Sequence, residues 1–336
     1  MPVLETPPTV ELHLHIEGTL EPELIVALAE RNGVTLPYAG VEELRARYDF
    51  TDLQSFLDLY YDNMAVLRTA ADFTLLAETY LRRAAAGGVR HAEIFFDPQA
   101  HLVRGVALAE VVTGLAEGLR RGEDAGITST LIACFLRDRP AEEACEVLEQ
   151  LVALDAPIVG IGLDSTEVGN PPAKFVDVFA RAKELGLHRV AHAGEEGGPE
   201  CVAEALDLLG AERIDHGVRA LQDPALMARL VAERVPLTVC PLSNVRLKGV
   251  ETLADHPLPA LLDTGALVTI NSDDPAYFGG YADDNLLAVA DTFGLSDHQL
   301  ADLARNAVVA SFLPADRRRA LLAEVDDWLA TRCPDR

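Results

Sequence analysis

Residues 268–275 read V-T-I-N-S-D-D-P, an apolar run of strand-forming residues that ends in two adjacent carboxylates and a proline. Side chains alternate faces along a strand, so Asp273 and Asp274 serve different partners unless the backbone turns between them. Asp274 precedes Pro275, which favours an extended backbone at a loop entrance. The pair suits metal binding by one carboxylate and ligand binding by the other. Histidines elsewhere support that chemistry. His13 and His15 close the run 9–15, two residues apart, so both imidazoles leave one face of an extended chain. His192 ends the run 188–192, His216 ends 212–216, and Asp273 follows 267–272. These are five groups of ligand type at the ends of four predicted strands. Three imidazoles and one carboxylate, with one position left for water, match catalytic zinc rather than a closed structural site. Imidazole-rich ligation also favours zinc over magnesium or calcium. His91, His101, His188, His256 and His298 lack this placement and are assigned structural or surface roles.

The elements that must position these groups are short β-like runs, at 9–15, 89–96, 128–136, 157–163, 188–192, 212–216, 236–242 and 267–272. Amphipathic helical stretches lie between most of them, at 174–186, 199–209, 223–233 and 257–264 among others. Strands alternating with helices predict an α/β fold, a (β/α)8 TIM-type barrel, whose active site forms at the C-terminal strand ends. A doubly wound open sheet is the alternative, but no G-x-G-x-x-G follows the first strand. One barrel domain is expected over 1–336, with a helical insertion at about 20–87 after strand one. The insertion holds a helix at 21–32 and another beginning Thr51-Asp-Leu-Gln54, a capping-box pattern. Leu53, Phe56, Leu57, Tyr60, Tyr61 and Met64 then recur at helical spacing, partly as core and partly as a cover over the catalytic face. The stretch from Ser296 to Trp328 is helical in pattern.

Composition narrows the partners. With 54 acidic and 28 basic residues the net charge is −26, a surface that repels phosphate backbones and anionic lipid. No nucleic-acid or membrane partner is expected, and no run approaches the ~18 apolar residues of a membrane span. The five cysteines are scattered with no C-x-x-C pair, so neither a disulfide framework nor a thiolate zinc site is expected. The N-terminal MPVLETPPTV carries no basic or apolar signal region, so a cytoplasmic location is expected.

E-L-H-L-H-I-E-G (11–18), H-A-G-E (192–195), D-H-G-V-R (215–219), C-P-L-S-N (240–244) and S-D-D-P (272–275) follow one another along nearly the whole chain. In type and order they resemble the motifs of the adenosine/adenine deaminase family. F-T-D-L-Q-S-F-L-D-L-Y-Y (50–61) and D-D-P-A-Y-F-G-G-Y (273–281) are most similar to its adenine deaminase branch. The resemblance implies a metal-dependent barrel holding one zinc through His13, His15, His192 and Asp273. It implies Glu195 as proton donor to the purine ring, His216 as the histidine that orients and deprotonates the attacking water, and Asp274 as the acid bonded to purine N7. Related two-metal barrels carry a carboxylated lysine at the end of strand four. Here that end reads G-L-D-S-T-E (162–167), without lysine, which supports one metal. His91-Ala-Glu93 matches the H-x-E of cytidine-type zinc deaminases, but the P-C-x-x-C partner is missing.

The implied reaction is zinc-dependent hydrolysis of adenine to hypoxanthine and ammonia, a purine-salvage step with a small-molecule purine as the partner. Adenosine or another N9-substituted 6-aminopurine is the alternative substrate. Adenosine deaminases carry H-x-H-x-D-G, and that Asp contacts the ribose 5′-hydroxyl. Glu17 stands at that position, one methylene longer and expected to fill space the sugar needs. Ser165 stands where adenosine deaminases have a glycine whose backbone approaches the purine. Overpacking costs ~1–3 kcal/mol and an unpaired buried hydroxyl a similar amount, so ~10²–10⁴-fold preference for adenine is expected.

Overall fold

The strands are buried along most of their length because each is covered on both faces, as parallel sheets require, even where they carry Glu11, Glu93, Arg213 and Asp215. The computed structural model describes residues 5–333. Eight strands are present: β1 (Thr9–Glu11), β2 (Val89–Phe96), β3 (Thr128–Leu136), β4 (Ile158–Asp164), β5 (His188–Ala193), β6 (Arg213–His216), β7 (Pro236–Val239) and β8 (Leu267–Ile270). All neighbours are parallel and the order follows the chain, β1 through β8, with helices in the connections. This is the (β/α)8 barrel expected from the alternation of strand and helix.

Closure comes just beyond the last ladder residues. Asp273 N–H donates to the His13 carbonyl (3.1 Å), and His15 N–H donates to the Asp273 carbonyl (3.0 Å). The seam that shuts the barrel is therefore made by three of the expected ligand residues. The first run pairs for less of its length than its pattern predicts. Asn271 Oδ1 takes the Leu12 N–H at 2.9 Å, so the chain leaves the ladder after Glu11 and rejoins it by single bridges at Leu14 and His15.

The opposite, N-terminal end is plugged. The buried Arg213–Glu93 pair (2.6 Å) sits under Phe312, whose ring stacks on His188 at 3.7 Å. Only the C-terminal end of the barrel is left for a ligand.

Between β1 and β2 lie helices Pro22–Asn32, Val41–Arg45, Leu53–Asn63 and Ala70–Ala86. The helix expected to start at Thr51-Asp-Leu-Gln54 is capped one residue later, because Asp52 accepts the Ser55 N–H and the Ser55 hydroxyl returns the bond. The C-terminal helical stretch is two helices, Asp297–Ala310 and Ala315–Arg332. Pro314 accounts for the break: it has no N–H to donate and disfavours helical backbone at Leu313. Among the described residues no helix is long and apolar enough to cross a membrane.

Candidate active site and metal centre

The barrel seam brings the ligand atoms to one point. His13 Nε2 lies 3.2 Å and His15 Nε2 3.5 Å from Asp273 Oδ1, and His15 Nε2 lies 3.2 Å from His192 Nε2. All four residues are buried. Phe95 packs against the His13, His15 and His192 rings at 5.3, 5.2 and 5.9 Å, closing off the barrel interior behind them.

The other ring nitrogens face oxygen. His13 Nδ1–H donates to the Thr238 carbonyl at 3.2 Å, which leaves the Nε2 lone pair pointing at the cluster. His192 Nδ1 faces Asp215 Oδ2 at 3.6 Å, and His15 Nδ1 faces Asp164 Oδ2 at 3.5 Å. Burial lowers the His15 imidazole to about 4, and burial with the neighbouring imidazoles holds His192 well below its usual value. With each Nδ1–H directed at its oxygen, both Nε2 lone pairs face one point 3.2 Å apart, an arrangement that a cation between them satisfies. Two nitrogens at ~2.0–2.1 Å in a tetrahedral zinc shell stand about 3.3 Å apart, so these residues fit the ion. Asp215 and Thr238, linked by a 2.8 Å bond, hold the outer sides of His13 and His192. Metal-bound histidines need such partners to fix ring orientation. Asp215 is one of the supporting residues passed over in the sequence; its one signal is its place beside His216 at the end of β6.

Glu195 and His216 meet beside this cluster, His216 Nε2 being 3.6 Å from Glu195 Oε2 and 3.8 Å from Asp273 Oδ2. Burial, then the Asp273, Glu167 and Glu196 charges, push the Glu195 carboxyl well above the usual range, which favours its protonated form. Its loop is held by Glu167. Glu167 Oε1 accepts the Gly194 N–H (2.8 Å), and Oε2 accepts those of Glu195 (3.1 Å), Glu196 (2.9 Å) and Gly197 (2.8 Å). A carboxylate occupied by four amides is not a free acid; Glu167 anchors the loop that carries one. Glu167→Ala is expected to cost at least ~2 kcal/mol of stability, because buried N–H groups lose their acceptor. It should also lower kcat ~10–10²-fold by misplacing Glu195. Chemical denaturation alongside kcat measurement checks both effects, and a wild-type rate would separate the loop anchor from the chemistry.

A backbone amide assigns the His216 tautomer. Leu258 N–H donates to His256 Nδ1 (3.0 Å), so neutral His256 carries its hydrogen on Nε2 and donates to Asn244 Oδ1 (3.0 Å). Asn244 thus turns its NH2 toward His216 Nδ1, 3.4 Å away, and His216 carries its hydrogen on Nε2, facing the cavity. This ring suits orienting an attacking oxygen as a donor.

Asp273 and Asp274 both line the cavity because Asp273 adopts a left-handed backbone (φ 65°), the turn that strand alternation demanded. Ser165 (φ 71°) and His216 (φ 63°) share this conformation. Non-glycine residues held so cost about 1–3 kcal/mol each, and such residues cluster at functional sites. Gly18 is required by contact: a Cβ there would lie 2.6 Å from Asp274 Cα. The helix Leu53–Asn63 lays Leu53, Phe56, Leu57, Tyr60 and Tyr61 over the cavity, and Met64 stays in the core. Tyr61 Oη lies 3.5 Å from Ser165 Oγ, closing one side.

Glu17 is placed differently from expectation. It is fully buried and absent from the cavity lining. The Arg104 guanidinium donates to His101 Nδ1, His101 Nε2–H donates to Glu17 Oε1 (2.7 Å), and the same oxygen accepts the Asp97 N–H (3.2 Å). The longer side chain turns back to His101 instead of filling space for a sugar. Asp97 and Asp164, at the ends of β2 and β4, line the cavity in its stead. Neither stood out in the sequence, because a lone Asp after an apolar run more often caps a helix.

A family model described as adenosine deaminase matches residues 8–328. The chain is 62% identical to the adenine deaminase of Streptomyces coelicolor, covering 96% of this chain and 95% of that protein. It is 57% identical to the adenine deaminase of Rhodospirillum rubrum, over 95% and 96%. The crystal structure of adenine deaminase from Arthrobacter aurescens superposes with a TM-score of 0.95 at 60% identity, covering 96% of this chain and 99% of that one. An amidohydrolase from Burkholderia ambifaria, solved with bound Zn, gives a TM-score of 0.90 at 28% identity, over 98% and 93%.

Proposed function

This chain belongs to the adenosine deaminase family, and we propose that it hydrolyses adenine to hypoxanthine and ammonia, a purine-salvage reaction. One observation carries the reading: ligand atoms of His13, His15, His192 and Asp273 converge on one point, and the carboxyls of Glu195 and Asp274 line the cavity beside it. The relatives' shared name supports adenine as the substrate.

His13, His15, His192 and Asp273 would hold one zinc ion, which lowers the pKa of water to ~7 and so supplies hydroxide at neutral pH. Glu195 gives its proton to ring N1 as oxygen adds at C6, which relieves charge that would otherwise build on the ring. General acid help of this kind is worth about 10²–10⁴-fold. His216 holds the attacking oxygen through Nε2–H. Asp274, given room by Gly18, fixes the N7 side of the base. The hydroxyl proton on C6 passes to the amino group as the C6–N bond breaks, so ammonia leaves with the 6-oxopurine formed, and Glu195 regains its proton from the one that water released on becoming hydroxide.

Adenine should exceed adenosine in kcat/KM by ~10²–10⁴-fold on one preparation, followed by loss of the aminopurine absorbance. Adenosine equal to or better than adenine would defeat the substrate assignment and leave the hydrolytic chemistry standing.

A further inference from the structure

Adenine carries polar positions all round its rim. In the reading above, Glu195 takes N1, Asp274 takes N7 and the amino-bearing C6 faces the histidine cluster. N3 and N9 remain. The cavity's remaining polar side chains are Asp97, Asp164 (whose Oδ2 faces His15 Nδ1), Ser165, Tyr60 and Tyr61. Two of them stand out. Asp97 and Asp164 are 2% and 3% exposed, their carboxyls hydrogen-bond to each other, and the Oδ1 of each has no further partner. Their carboxyls lie together beside His15, with ligand atoms within 4.8 Å of one another. Leaving a buried carboxyl oxygen unpaired costs more than leaving a neutral group so, and the arrangement calls for a ligand atom there.

We propose that Asp97 and Asp164 read the N3/N9 edge of the purine and make the site select a free base over an N9-substituted one. The inference rests on the adenine reading and names the groups that enforce it. A ring nitrogen at N9 bears either a hydrogen or a lone pair, and a carboxyl meets one as acceptor and the other as donor. An N9 carbon substituent meets neither, and it leaves the buried carboxyl oxygens unpaired and crowded. A site built to hydrogen-bond a group rejects the analogue lacking it far more strongly than an apolar pocket rejects extra bulk. Glu17 then supports the selection from behind, holding the backbone of Asp97 through its N–H while His101 holds Glu17. The Tyr61–Ser165 contact narrows the same cavity from the side of the insertion helix.

The probe is 9-methyladenine, which removes the N9 hydrogen and lone pair with little added bulk. Asp97 is the residue to change, because Asp164 also touches His15. On wild-type holoenzyme, kcat/KM for adenine should exceed that for 9-methyladenine by at least ~10²-fold, in line with the loss of a buried polar partner. The isosteric Asp97→Asn should lower adenine kcat/KM ~10-fold or more, mostly through KM, and leave 9-methyladenine nearly unchanged. Asp97→Ala should narrow the preference further. Equal losses on both substrates in Asp97→Asn, with wild-type metal content, would overturn the proposal. So would a second metal equivalent that disappears in Asp97→Asn, since the carboxyls would then be holding a cation. A wild-type enzyme that deaminates neither base would count against the adenine reading itself, and is told apart by that result.

Discussion

Glu195→Gln is expected to lower kcat by at least ~10²-fold and leave metal content at the wild-type level. The amide keeps the shape of the side chain and loses the transferable proton. Glu195 has no ligand role, since the four converging atoms come from His13, His15, His192 and Asp273. The pH profile supplies an independent reading. Burial, followed by the Asp273, Glu167 and Glu196 charges, raises the Glu195 carboxyl well above the usual carboxylic range. The active form is the protonated one, so its contribution is complete below that raised pKa and is lost as pH climbs through it. Wild type should show this alkaline limb in kcat, and the glutamine variant should lack it. If Glu195→Gln kept most of its rate, the donor would have to be reassigned. Glu196 would be the candidate, because the Glu167 carboxylate is already engaged by four amides.

Removing the metal should have the largest effect of all. About one equivalent of zinc per chain is expected, with activity falling to background on chelation and returning on zinc addition. Asp273→Ala should do the same by mutation, since it removes the oxygen that both His13 and His15 approach. Isosteric Asp273→Asn tests the ligand role with the side-chain shape kept: the seam uses only backbone atoms of residue 273, so the fold should persist while metal affinity drops. Elemental analysis of purified protein, before and after chelation, is the measurement. Two equivalents, or full activity in metal-free protein, would sink the one-metal scheme.

The asparagine-to-histidine relay shows what a supporting layer adds to a ligand set. Leu258 N–H, through His256 and Asn244, sets which nitrogen of His216 bears hydrogen, and the starting donor is a backbone group that cannot reverse its role. Nothing in the order of residues 216, 244, 256 and 258 announces this. His216 closes β6, whereas Asn244 and His256 lie in the one connection between β7 and β8, and they meet only because β6 and β7 lie side by side in the barrel.

The sequence by itself determined the period of its elements and the chemistry at their ends. Continuous apolar runs must be buried on both faces, so they form parallel strands covered by the helices between them. Histidines and aspartates cannot stay inside such runs without partners, so they gather at the C-terminal ends, where His13, His15, His192, His216, Asp273 and Glu195 all stand. Residue type and strand position are local properties, which is why they were legible. Tertiary structure decided the rest. The left-handed backbone at Ser165, His216 and Asp273 is held by the surrounding barrel against local preference. Asp97 and Asp164 acquire meaning only because β2 and β4 end beside the same histidine. Glu17 follows the motif in sequence but turns to His101, a residue more than eighty positions away, because a carboxylate buried out of water takes whichever donor the fold brings within reach.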